Sequence, residues 1–265
     1  MYRRIMVKKL HFSSLFSLLL LLLVSISSCQ KEIRDTLTQP VYNLNILFKP
    51  VVGTEVFEFG SSYKNSFGEA YTVRAFKYYI SGIELVNDTY VETFSLKDDY
   101  FLVDFSKPAS ATLQLKTKPF IYNRIAFTIG VDSLHNVSGA QAGALDPGNG
   151  MFWTWNSGYI MAKLEGTSPA SNQPNNLFEY HIGGFKGAEN VLQKIYLDFP
   201  AGKHIDTENG SFSDVTISAD INKWFLGTNQ IRIAASPVIT TPGAAAKRVA
   251  ENYAAMFSVQ EIINQ

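Results

Sequence analysis

Few residues in this chain have side chains suited to chemistry. There are four histidines, one cysteine and three tryptophans in 265 residues. His11 lies in a basic and apolar leader, and His204, beside Lys203 in a polar stretch, reads as a solvated side chain. His135 follows the apolar run Ile125 to Val131, in Asp132-Ser133-Leu134-His135-Asn136, and is expected at a strand end. His181 lies in Leu177-Phe178-Glu179-Tyr180-His181-Ile182, where alternation puts it on a face with Glu179 and opposite Phe178, Tyr180 and Ile182. Two neutral imidazoles suit copper, with a third, weaker ligand completing the site. A separation of 46 positions is equally compatible with two unrelated histidines.

Two of the three tryptophans fall in Met151-Phe152-Trp153-Thr154-Trp155-Asn156-Ser157-Gly158-Tyr159. If that run is one extended element, Met151, Trp153, Trp155, Ser157 and Tyr159 share a face. Such a stripe packs in a core or at a sandwich edge, or serves as a stacking platform for a glycan or a partner protein. The chain lacks Gly-x-Ser-x-Gly, Gly-x-x-x-x-Gly-Lys, Cys-x-x-Cys-His and His-Glu-x-x-His. A hydrolase built on Asp132, Asp146 or Glu165 is the remaining catalytic reading, and carboxylates at loops and strand ends ordinarily cap turns or face water. The sequence therefore predicts a protein that is not an enzyme.

Strand signals recur at Asn43 to Val52, Tyr71 to Val86, Tyr100 to Phe105, Ala111 to Lys116, Tyr122 to Val131, Gly158 to Leu164, Leu177 to Ile182, Val191 to Phe199 and Ser213 to Ile221. Turns rich in Gly, Asn, Ser and Pro separate them. One helix is predicted from Ala244 to Phe257, with Val249, Tyr253 and Met256 at helical spacing. The expected fold is all-β, an antiparallel sandwich or barrel capped by a short C-terminal helix.

The first 28 residues have the order of a secretory signal: Arg3, Arg4, Lys8 and Lys9, an apolar core from Leu15 to Val24, then small residues before Cys29. That core is shorter than the roughly 18 residues needed to span a bilayer. Cys29, the only cysteine, rules out an intramolecular disulfide and looks like a lipidation site. Gln30 resembles no inner-membrane retention signal, so the expected location is the bacterial cell envelope, on the outer membrane. Residues 29–40 read as a polar tether and 41–265 as one β domain. Four of the 23 basic residues lie in the leader, leaving 19 against 23 acidic ones, a balance unsuited to nucleic acid.

Taken in order, Phe127-Thr128-Ile129-Gly130-Val131, His135-Asn136, Leu145-Asp146-Pro147, Gly150-Met151-Phe152-Trp153-Thr154-Trp155-Asn156-Ser157-Gly158-Tyr159 and Tyr180-His181-Ile182-Gly183-Gly184 resemble the motifs of the MbnP-like copper-binding family. The resemblance runs from about Val41 to the C-terminus and is strongest between Phe127 and Gly184. It implies an exported β-rich protein concerned with copper handling, with a dihaem cytochrome-c-peroxidase-like partner. It further implies His135 and His181 as copper ligands, and Trp153 or Trp155 as a residue oxidised to kynurenine. Two features depart from the family pattern: His135 precedes Asn136 rather than following it, and no cysteine pair follows His181.

Overall fold

Period-two alternation governs most of the chain, and in the computed structural model each such run becomes a strand. Residues 43–139, 141–153 and 158–265 are described. The leader, the tether with Cys29, and Trp155 lie outside the described residues.

In chain order, the first half supplies β1 (Leu44–Val52), β2 (Glu55–Val56), β3 (Tyr63–Lys64), the long β4 (Ala70–Asn87) and β5 (Glu92–Asp104). Next come β6 (Thr112–Leu115), β7 (Ile121–Tyr122), β8 (Arg124–Ile129) and the short helix α1 (Ser133–Val137). After it lie β9 (Phe152–Trp153), β10 (Gly158–Thr167), β11 (Leu177–Gly183), β12 (Gln193–Asp198) and β13 (Ile205–Asp206). The chain closes with β14 (Ser213–Asp220), β15 (Val238–Ile239), α2 (Ala244–Tyr253) and β16 (Phe257–Asn264).

Two larger sheets form among the described residues. The five-stranded one runs β16-β14-β1-β2, with β6 also on β1. The nine-stranded one runs β12-β8-β4-β10-β11-β15, with β3 and β5 on β4 and β9 on β10. Leu44, Ile46 and Phe48 of β1 point inward beside Val215, Ile217 and Ala219 of β14. Phe48 bridges the sheets. Its ring meets Phe257 of β16 in its own sheet, and Tyr78 of β4 and Phe127 of β8 in the other, all edge-on at 5.7–5.9 Å. Edge-to-face packing suits the charge distribution of aromatic rings, so this cluster joins the layers by more than apolar area.

The all-β sandwich with a helix near its C-terminus matches the sequence reading, with two corrections. Pairing is mixed: β1 runs parallel to β14 and β11 parallel to β15, whereas the sequence suggested antiparallel pairing. Alternation reports which face is buried and carries no information on strand direction. The helix stops at Tyr253 rather than continuing to Phe257. Phe257 instead opens β16, which pairs antiparallel with β14 through Ala219↔Phe257 and Ser218↔Ser258.

Candidate functional site

β10 and β11 build the platform of the candidate site. Their inner faces bury Ala162, Leu164, Phe178, Tyr180 and Ile182, which commits Lys163, Glu165, Glu179 and His181 to the outer face. His181 and Glu179 therefore share a face, as alternation indicated. In register, Asp104, Lys77, Lys163 and His181 stand side by side across β5, β4, β10 and β11.

His181 Nε2 lies 2.7 Å from Glu165 Oε1. A carboxylate only accepts, so the imidazole carries its hydrogen on Nε2, and Nδ1 makes no hydrogen bond among the described residues. Glu165 is also 3.2 Å from Arg74, which reaches Glu179 at 2.7 Å. The bond from His181, together with Lys163 and Arg74, outweighs burial and holds the Glu165 carboxyl down at about 2. Burial pulls Lys163 below its ordinary value, and its ammonium donates to the Gly150 carbonyl at 2.6 Å. The loop before β9 is thereby fastened over this face. Within it Asp146 caps a turn by accepting from Gly148 N–H, the ordinary role for such a carboxylate.

The sequence suggested that Met151 to Tyr159 forms one extended element. Instead β9 folds back on β10, pairing Trp153 with Gly158 and Phe152 with Tyr159. Trp153 and Tyr159 therefore sit on different strands of a hairpin, and their cross-strand partners, Gly158 and Phe152, put them on opposite faces. Trp153 is 6% exposed and Tyr159 fully buried, so neither is an open stacking platform. The Tyr159 ring packs edge-on against Tyr79 and Phe152, and its hydroxyl donates to the Leu145 carbonyl at 2.7 Å. The Trp153 indole lies against Gly183, where a Cβ would come within 2.6 Å of its ring. Gly183 follows His181 by two positions and so lies on the same face. A cavity of about 190 Å³, walled by Phe185, Lys186, Glu189 and Pro242, opens beside this indole.

His135 lies on α1, and not at the end of a strand. Asp132 ends the extended segment by capping this helix, accepting from Leu134 N and His135 N. Its other oxygen is 2.8 Å from His135 Nδ1, and the Tyr100 hydroxyl contacts both groups. Burial raises the Asp132 carboxyl, but the bonds from Tyr100 and His135 outweigh it and lower the net value. Burial and then the bond to Asp132 push the Tyr100 hydroxyl up. His135 Nε2 makes no hydrogen bond among the described residues.

Asn136, which the sequence reading named only within the His135-Asn136 motif and gave no role, locks this helix to the hairpin. Its amide donates to the Val131 carbonyl and accepts from Tyr159 N–H at 2.9 Å. Its place in that motif was the signal that could have marked it. The β9–β10 hairpin is thus tied to α1 through Asn136 and to β11 through Gly183. No hydrogen bond joins the His135 cluster to the His181 cluster among the described residues.

Each histidine suits a metal in its donor chemistry: a carboxylate fixes one ring nitrogen and leaves the other for a ligand, as outer-shell carboxylates do for metal-bound histidine. Among the described residues no three or more His, Cys, Asp or Glu side chains gather into one group able to hold an ion.

Fold and site define a β-sandwich protein with a tryptophan-bearing hairpin tied to two histidine–carboxylate elements. A sequence model of the MbnP family matches residues 41–242, and the chain belongs to that family. Among solved structures, MbnP from Methylosinus trichosporium is similar at 17% identity, covering 76% of this chain and 81% of that one, with a TM-score of 0.49. No curated protein gives a significant match.

Proposed function

We propose that this protein is a copper-binding lipoprotein of the bacterial cell envelope, anchored through Cys29 to the outer membrane and acting in copper handling rather than catalysis. His135 and His181 supply imidazole nitrogens to copper, His135 through Nε2 and His181 through Nδ1. Trp153 or Trp155 is the residue that a dihaem cytochrome-c-peroxidase-like partner oxidises to kynurenine. An intact indole nitrogen only donates, whereas kynurenine offers an aromatic amine and a carbonyl to the site.

The observation that most supports this reading is the hairpin geometry. Trp153 lies on Gly183, two positions from His181, and the same hairpin is bonded through Tyr159 to the residue after His135. Copper binds imidazole well, and the acidic partners Asp132 and Glu165 each fix the orientation of one ring through a single nitrogen, leaving the other for the metal.

Copper titration of the purified mature chain and of a His135→Ala, His181→Ala double variant tests the site. One copper bound tightly by the parent and lost in the variant is expected; unchanged affinity overturns the reading. Peptide mass mapping of protein from its native envelope reports on the tryptophans, and an unmodified pair in copper-replete cells removes the oxidation step.

A further inference from the structure

The turn between β4 and β5 holds two large apolar side chains in solvent, Tyr90 at 70% and Val91 at 88% exposure. Val91 has a φ of 55°, the left-handed region that a β-branched residue adopts only at a cost. Asn87 already supplies the turn chemistry, its side chain accepting from Thr89 N and Tyr90 N. Asn or Gly at position 91 would suit the backbone better, so local turn stability does not explain the valine.

This tip stands on the segment Lys116 to Tyr122. Tyr90 meets Phe120 edge-on at 6.0 Å, Asn87 donates to the Ile121 carbonyl, and Lys118 lies 5.8 Å from the Phe120 ring and 3.5 Å from Glu92. The same segment receives the start of the domain. Asn43 donates to the Thr117 carbonyl at 3.2 Å and accepts from Thr117 N–H at 2.9 Å. The exposed apolar tip and the point where the N-terminal segment leaves Asn43 are therefore at one end of the sandwich. The opposite end, where Ser168 donates to the Ala70 carbonyl at the start of β4 and the exposed Asn172 follows in the β10–β11 connection, is roughly 50 Å away along that strand.

We propose that the Tyr90–Val91 tip, backed by Phe120 and flanked by Lys118, is a membrane-contact surface that inserts into the headgroup region of the bilayer carrying the anchor. The proposal rests on the lipoprotein reading for its bilayer. Thirteen residues lie between Cys29 and Asn43, and the fourteen steps reach about 50 Å at most, so an anchored domain stays within its own length of the lipid. Tyrosine is at home in the interfacial layer, where its ring is sheltered and its hydroxyl stays wet, and lysine extends its ammonium to lipid phosphates. Two apolar side chains are too few to hold a free protein, but the anchor supplies the local concentration and leaves them only to orient it. The domain then stands with the Asn172 end farthest from the lipid.

The test uses the chain lipidated in a bacterial host and reconstituted into phosphatidylethanolamine–phosphatidylglycerol vesicles with bromine on the acyl chains. A fluorophore is placed by Val91→Cys or, as control, by Asn172→Cys; an acylated Cys29 does not react. A parallel arm replaces Cys29 by a hexahistidine tag held on nickel-chelating lipid. Quenching at position 91 several-fold stronger than at 172, in either arm, supports the proposal. Equal or absent quenching at both positions in the tagged arm overturns it and leaves the tip to a protein partner. A chain that acquires no lipid, with position 91 still quenched in the tagged arm, strikes the lipoprotein reading alone.

Discussion

At the residue scale the site is organised by carboxylates that each orient one imidazole. Glu165 holds Nε2 of His181 at 2.7 Å, which leaves Nδ1 directed away from it. Glu165→Gln keeps the size of the side chain but can no longer charge-assist this bond. Under the copper reading, its affinity for copper falls about 10- to 100-fold in a titration, with the fold retained by circular dichroism. Asp104, at the far end of the cross-strand row that ends in His181, offers a second test of electrostatics. It is 1% exposed, lies 2.9 Å from the Lys77 ammonium and accepts from the Ser106 hydroxyl at 2.6 Å. Burial raises its carboxyl, but Ser106 and Lys77 outweigh burial and lower it. A carboxyl lowered by folding stabilises the native state above its unfolded value, near 3.9, and loses that contribution as pH falls through the folded value. Urea midpoints of the parent and Asp104→Asn should therefore differ most at neutral pH and converge below about pH 4.

At the scale of elements, the β9–β10 hairpin depends on a close approach that only glycine permits at position 183. Gly183→Ala puts a methyl group into the Trp153 ring and within 2.8 Å of the Tyr159 carbonyl. Overpacking of this kind costs about 1–3 kcal/mol, and the displaced indole should appear as a red-shifted emission and a lower denaturation midpoint. The C-terminal strand is a second such element. β16 covers the edge of β14 and inserts Phe257 into the inter-sheet cluster. Removing Phe257–Asn264 should expose that edge and shift the chain into aggregates on size-exclusion chromatography.

At the scale of the whole molecule, residues 42–265 form one compact unit whose sheets meet at Phe48, Phe127, Tyr78 and Phe257. Phe48 is 1% exposed and touches both layers, so Phe48→Ala leaves a cavity where the sheets join. A loss of about 3–5 kcal/mol is expected in denaturant unfolding. The loss should appear equally in probes of either sheet, because one core serves both.

The sequence by itself determined the β class and the inward positions of most strands, because a period of two is a local property of each segment. It also marked His181 as outward-facing beside Glu179, since Phe178, Tyr180 and Ile182 could satisfy the core without it. The parallel pairing of β1 with β14 was not legible, because those strands lie about 170 residues apart and only packing selects the partner. The C-terminal apolar positions Phe257, Val259 and Ile262, whose period of two is broken by a bulge after Val259, were hidden by the preceding helical period, and only the open edge of β14 turned them into a strand. Likewise the Trp153 face was misjudged from local spacing, since the pairing of Trp153 with Gly158 is flanked by contacts of Trp153 with Gly183 and of Tyr159 with Asn136 that come from elsewhere in the chain. Residue types named the chemistry within reach; which side chains meet was decided by long-range pairing, whose energy depends on surfaces that no single segment contains.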